Sequence, residues 1–195
     1  HSMEVEDMYA RLDREIAHLL QFVDDQFGKQ EVLIYLTSDR GMAEQPSLLR
    51  KIKIPSGYFE SDRAMTLLRS YLNAVYGKAN WVVHYSDLQI YLDRNLIEDS
   101  KLDIADVQLK IAQFMVQFSG VSNALTANAL DNASFESGVY GKVKNSYNQK
   151  RSGDVLLILE PGWIEQADNV INTNSGYSCD THVPLIWYGW KVKRG

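Results

Sequence analysis

The sequence has a single cysteine, Cys179, so no disulfide can close within the chain and no Cys-x-x-Cys metal motif exists. A lone thiol leaves the redox compartment open, because oxidising compartments also hold proteins without disulfides. No apolar run approaches the roughly 20 residues that a membrane-spanning helix needs. An excess of positive charge is lacking too: 20 Lys and Arg stand against 25 Asp and Glu, for a net charge of −5. That balance argues against a nucleic-acid partner, since neutralising phosphates needs clustered basic residues. The short basic runs at Arg50, Lys51 and Lys53, and at Lys142, Lys144, Lys150 and Arg151, read as solvated faces. Internal repeats and low-complexity segments are also absent.

What is present is ordinary globular material: 195 residues, 45% hydrophobic and 23% charged. This length can bury a core as one domain, or as one domain carrying a sizeable insertion. His1-Ser2-Met3 reads as an expression-tag remnant. The chain from Glu4 is already inside a helical pattern, which leads us to expect a piece of a longer protein. Val5, Met8, Leu12, Ile16, Leu19, Leu20, Val23 and Phe27 share one helical face, with acidic residues in the first turn and Gly28 as a stop. Val32-Leu33-Ile34-Tyr35-Leu36 then reads as a strand buried on both faces, of the kind found in parallel sheets flanked by helices.

Residues 45–152 differ in texture. Helical patterns run over 61–76 and 104–118, with short strands at 81–85 and 88–92 and a weaker helix over 137–147. The stretch 123–134 is polar and alanine-rich and carries no clear pattern. Asp154 to Leu159 is another buried-type strand, closed by Pro161-Gly162. Residues 170–180 read as loop, and 183–188 as a last strand stopped by Gly189.

Two residues stand where chemistry is commonly placed. Asp39 lies just beyond the first buried strand, in Thr37-Ser38-Asp39-Arg40-Gly41, where open α/β sheets bind ligands. It is also what a plain turn would hold. His182 precedes the last strand, in Asp180-Thr181-His182-Val183-Pro184, and is either a metal ligand or a structural histidine. His18 and His84 have no second ligand at metal spacing and read as surface or packing residues. The four tryptophans and eleven tyrosines read as core and half-buried positions rather than a stacking surface for bases or sugars.

These segments carry a resemblance. VLIYLTSDRGMA resembles the strand and loop ending in Thr-x-Asp-His-Gly of the alkaline phosphatase superfamily. SGYSCDTHVPLIWYG resembles its segment that delivers a metal-binding histidine just before a strand. VEDMYARLDREIAHLLQFVDD looks like the helix after its Asp-x-x-x-His metal motif. The bacterial phosphate-monoester hydrolases of the superfamily are the nearest in pattern, and both ends of the chain match in order and spacing, the middle only in outline. The resemblance implies a three-layer α/β fold with a mixed sheet, residues 4–44 and 153–195 forming parts of that core and 45–152 an α+β insertion. It implies a C-terminal piece of a periplasmic or extracytoplasmic hydrolase acting on a small-molecule phosphate monoester, with two zinc ions in the family.

On that resemblance His182 corresponds to a ligand of the first metal and Asp39 to a ligand of the second. Arg40 occupies the place of the second metal's histidine. A guanidinium offers no lone pair, so Arg40 either breaks that site or binds phosphate itself. The nucleophile and the remaining ligands correspond to positions before Glu4, so no catalytic residue is expected within this chain, which is expected to be inactive alone and to hold no zinc. Two alternatives stay open: a catalytically degenerate phosphatase-like binding module, and a phosphodiesterase or sulfatase of the same superfamily. Asp39 follows its strand and His182 precedes its own, so a shared site requires those strands to run antiparallel. Missing strands would leave an uncovered edge, which suggests a homodimer.

Overall fold

The computed structural model describes residues 3–29, 31–41, 43–167, 170–172 and 175–193. Residues 1 and 2 of the tag remnant and residues 173–174 of the expected loop lie outside them. The elements in chain order are α1 (Met3–Phe27), β1 (Leu33–Thr37), α2 (Pro46–Lys51), β2 (Gly57–Glu60), α3 (Ser61–Tyr76), β3 (Val82–Ser86), β4 (Gln89–Leu92), α4 (Arg94–Asp99) and α5 (Ile104–Met115). There follow β5 (Val121–Thr126), α6 (Ala127–Asn132), α7 (Gly138–Ser146), β6 (Val155–Leu159), β7 (Trp163–Ala167), β8 (Val170–Asn172), α8 (Ser178–Thr181) and β9 (Leu185–Gly189). The chain divides into two compact units, residues 1–39 with 183–195 and residues 40–182.

The first unit holds α1 and a ribbon of β1 and β9. Glu4 and Glu6 sit in the first turn of α1, where they suit the helix dipole. Gly28, at φ +93°, ends the helix, and its N–H donates to the Asp24 carbonyl at 2.9 Å. β1 and β9 pair antiparallel, Leu33 opposite Gly189 and Thr37 opposite Leu185. The expectation that residues 32–36 are buried on both faces and belong to a parallel sheet is corrected here. None of the β1 side chains is buried, and Leu33, Tyr35 and Leu36 are exposed. The strand's apolar run reports a capacity for burial, while actual cover depends on neighbours, and β9 is its only hydrogen-bonded neighbour among the described residues. The apolar face of α1 is likewise present but uncovered: Met8, Leu12, Leu19 and Phe27 are all exposed.

The second unit is organised around β6. Its sheet runs β3-β4-β6-β5, each neighbouring pair antiparallel. All five residues of β6 are buried. Val155, Leu157 and Leu159 face a cluster built with Leu68 and Leu72 of α3 and Ile111 and Met115 of α5. Leu156 and Ile158 face a second cluster with Leu125, Leu130 and the flanking Val139, Val143 and Tyr147. Strand periodicity of two therefore sends alternate residues into two separate cores. The buried-type strand expected at 154–159 is present, but both its partners come from within 45–152 and the pairing is antiparallel. Helices on both sides of the sheet, rather than parallel neighbours, account for its uninterrupted apolar character.

The helices at 61–76, 104–115 and 138–146 follow the sequence pattern. Asp103 caps α5 by accepting from the Ala105 N–H at 2.9 Å, and Thr126 caps α6 by accepting from Ala129 at 3.1 Å. Tyr71 of α3 stacks on Phe114 of α5 with ring centroids 4.5 Å apart. The unassigned stretch 123–134 is the end of β5 plus α6, and the expected loop 170–180 contains β8 and α8. β5 draws its ladder hydrogen bonds from β6, remote in sequence, whereas β8 pairs antiparallel with the adjacent β7.

A second sheet, β2-β7-β8, contains a parallel pair, with Gly57 opposite Trp163. The indole of Trp163 lies across two glycines. A Cβ at Gly57 would stand 2.7 Å from it, and one at Gly120, where φ is +88°, 2.1 Å. Gly120→Ala is expected to destabilise the protein by about 2 kcal/mol, combining overpacking with left-handed strain. Urea unfolding followed by tryptophan fluorescence would read this, and an unchanged midpoint would refute the packing account. Between the sheets, the Tyr85 hydroxyl of β3 donates to Glu165 Oε1 of β7 at 2.5 Å. Burial, reinforced by that carboxylate, pushes the Tyr85 phenol well up, so it stays a donor.

Candidate metal and phosphate site

The strand-to-loop segment after β1 is short and exposed. Ser38 and Asp39 follow Thr37 immediately and close the first unit, and Arg40 opens the second. Gly41 then explains why this position carries no side chain. Its N–H donates to the Asp180 carbonyl at 2.8 Å, and a Cβ there would lie 2.1 Å from the Cys179 carbonyl oxygen. The need is close backbone approach rather than an unusual φ. Arg40 and His182 thus flank one backbone hydrogen bond, each within two residues of it.

The segment bearing His182 is held from several directions within the second unit. Its single helical turn, α8, closes with the His182 N–H donating to the Ser178 carbonyl at 2.9 Å. Lys142 of α7 donates to the Thr181 hydroxyl at 2.6 Å and to the Gly176 carbonyl at 3.1 Å. Tyr177 donates to the carbonyl of Leu159, the last residue of β6, at 3.0 Å. Asp180 is buried, and one carboxylate oxygen accepts from the Ser175 N–H at 3.0 Å and from the Ser175 hydroxyl. Its other oxygen is buried without a hydrogen-bond partner among the described residues. His182 itself is exposed.

The antiparallel ribbon meets the strand-direction requirement drawn from the sequence. Thr37 and Leu185 are opposite one another, so the chain leaves β1 towards Asp39 at the same end of the ribbon at which it enters β9 from Val183. Asp39 and His182 both carry donors suited to a divalent metal, an oxygen and an imidazole nitrogen. Arg40 does not. Zinc ordinarily takes three or four protein ligands, and among the described residues no group of three or more His, Cys, Asp or Glu is gathered in a metal-holding arrangement. Sequence reasoning pointed to Asp39, Arg40 and His182 but passed over Gly41, Lys142, Tyr177 and Asp180. The adjacent Asp180-Thr181-His182 order was the one local signal available; the others depend on contacts across 18 or more residues.

The profile of the family described as type I phosphodiesterase / nucleotide pyrophosphatase matches residues 1–177, which include Asp39 and Arg40 but stop short of His182. The alkaline phosphatase PafA of Elizabethkingia meningoseptica is 32% identical over the whole chain, which spans 36% of that relative. A protein of Myroides odoratus named as a calcium-transporting ATPase is also 32% identical, with the same 36% spanned. The alkaline phosphatase PhoV of Synechococcus elongatus is 29% identical, with 35% spanned. The crystal structure of wild-type PafA superposes with a TM-score of 0.89 at 31% identity, covering all of this chain and 37% of that one. The fold is therefore alkaline-phosphatase-like, and the chain is about a third as long as the relatives it matches.

Proposed function

We propose, from the premise that this chain belongs to the type I phosphodiesterase / nucleotide pyrophosphatase family, that it forms part of a metal-dependent phosphatase acting on small phosphate monoesters outside the cytoplasm. The observation that supports the reading is the antiparallel β1–β9 ribbon, in which Thr37, two residues before Asp39, stands opposite Leu185, three residues after His182. His182 and Asp39 would each hold a zinc ion, and Arg40 would present its planar fork to the phosphoryl oxygens. Zinc, when bound, supplies positive charge to the oxygens of the transferring phosphoryl group. Lys142, Tyr177 and the Gly41–Asp180 hydrogen bond hold the His182 segment in place. The nucleophile and remaining ligands would come from residues outside this sequence. No described helix is long and apolar enough to cross a membrane. The uncovered apolar faces of α1 and the ribbon support cover by further chain or by a second copy.

The test compares this 195-residue chain with a protein extended to the length of its relatives, using p-nitrophenyl phosphate as substrate. The extended protein is expected to hydrolyse it in a zinc-dependent way and to prefer it to bis-p-nitrophenyl phosphate, while the 195-residue chain does neither. A preference for the diester would overturn the monoester reading. Arg40 favours a second reading, a degenerate module that binds without turnover. Arg40→His in the extended protein separates the two: little change in rate supports a working arginine, whereas a gain of about tenfold or more in rate, with added zinc, supports a broken site.

A further inference from the structure

One carboxylate is buried in a segment whose neighbours are not. Ser178, Cys179, Thr181 and His182 are exposed, whereas Asp180 is 6% exposed. Taking a carboxylate out of water is costly unless hydrogen bonds replace its hydration, and α8, a single helical turn, gains little apolar burial against that cost. Both replacement bonds come from one residue: the Ser175 N–H, at 3.0 Å, and the Ser175 hydroxyl donate to the same oxygen, Oδ2. The other oxygen, Oδ1, is buried with no hydrogen-bond partner among the described residues. Stability is therefore a poor reason for an aspartate here, and a buried group left incompletely paired calls for another.

That reason lies in what the residue joins. Its side chain closes the loop onto Ser175, whose hydroxyl also accepts from the Tyr177 N–H at 3.4 Å. The Tyr177 carbonyl in turn accepts from the Asp180 and Thr181 N–H groups, both at 3.1 Å, and so starts α8. The carboxylate thus fixes the turn that ends at His182. The Asp180 main chain makes a different connection. Its carbonyl accepts at 2.8 Å from the N–H of Gly41, the residue after Arg40. Arg40, Gly41, Asp180 and His182 all belong to the second unit. One residue therefore holds the histidine's segment by its side chain and the arginine's segment by its carbonyl.

We infer that Asp180 is a positioning residue of the phosphatase site proposed above, the reading on which this inference rests, and that it sets the spacing between Arg40 and His182. Such a residue acts through its neighbours rather than on substrate. Misplacing a reacting group by about 1 Å can cost about 100-fold in rate, so a small loosening of this tie reaches the chemistry.

Two measurements test it, one of them independent of activity. In the 195-residue chain, hydrogen exchange followed by NMR is expected to show the Gly41 amide exchanging about tenfold faster in Asp180→Ala, the scale of one lost hydrogen bond. The Leu157 amide in β6 should keep its rate, which excludes a global loss of stability. In the protein extended to the length of its relatives, at saturating zinc, Asp180→Ala should lower kcat for p-nitrophenyl phosphate by about tenfold or more. KM should stay within about threefold, because misplacement weakens the transition state more than substrate binding. Asp180→Asn keeps an acceptor for Ser175 and should restore slow Gly41 exchange and kcat to within about threefold of the parent. If Asp180→Ala does not fold, Ser175→Ala, which removes one of the two donors, is expected to move both readouts the same way by about threefold. Parent-like Gly41 exchange in the alanine variant overturns the inference, and so does an asparagine variant as slow as alanine, which would assign the effect to charge. An unchanged kcat in Asp180→Ala while His182→Ala is inactive overturns the positioning role alone. Full activity in His182→Ala would instead sink the metal-site reading and the positioning role with it.

Discussion

Replacing His182 with alanine in the protein extended to the length of its relatives is expected to lower kcat/KM for phosphate monoesters by more than about 100-fold. Loss of an outer partner of a metal ligand typically costs 10–100-fold, and a direct ligand should exceed that. The geometry gives the prediction its specificity. His182 is exposed at the end of α8, so its removal leaves no cavity and should not unfold the protein. Its segment is held by Lys142, Tyr177 and the Gly41–Asp180 hydrogen bond, none of which uses the imidazole. A fall in activity with an unchanged unfolding midpoint and reduced zinc content would therefore mark a ligand. Full activity in the variant would remove His182 from the site and with it the main reason for reading the ribbon's end as a metal centre.

Asp154→Ala should destabilise the second unit by about 3 kcal/mol. Asp154 is 2% exposed and joins three elements at once. One oxygen accepts from the Leu92 N–H at 2.8 Å, and the other from Arg94 Nε at 3.0 Å and Gln108 Nε2 at 3.3 Å. Alanine would strand a buried backbone N–H and a buried amide. Arg94 is half exposed, so water recovers part of its charge and the loss falls at the lower end of the range for broken buried pairs. Asp154→Asn keeps the shape and one acceptor and should cost about half as much. Urea unfolding followed by the fluorescence of Trp81 and Trp163 would measure both. Equal midpoints for Asp154→Ala and the parent chain would show that these hydrogen bonds contribute little net stability.

The sequence by itself determined the elements whose signals are local. Helical periodicity placed α1, α3 and α5, because each carries its apolar face at the spacing of a helix whatever packs against it. The apolar run at 155–159 announced a strand covered on both sides, and the motif segments around Asp39 and His182 carried the family likeness later met in PafA. Tertiary structure decided the rest. An identical kind of apolar run gave a fully buried strand at β6 and an exposed ribbon strand at β1, since cover comes from elements remote in sequence. Antiparallel pairing of β6 with β4 and β5 follows from how the chain connects and places those strands, information that no single strand contains. Gly41 looked like a turn residue until Asp180, 139 positions away, was found against its backbone. Asp154 read as the first residue of a buried-type strand until it proved to be the acceptor shared by Leu92, Arg94 and Gln108. Such roles depend on distances of about 3 Å between residues the chain keeps far apart, and only the folded structure brings them within that range.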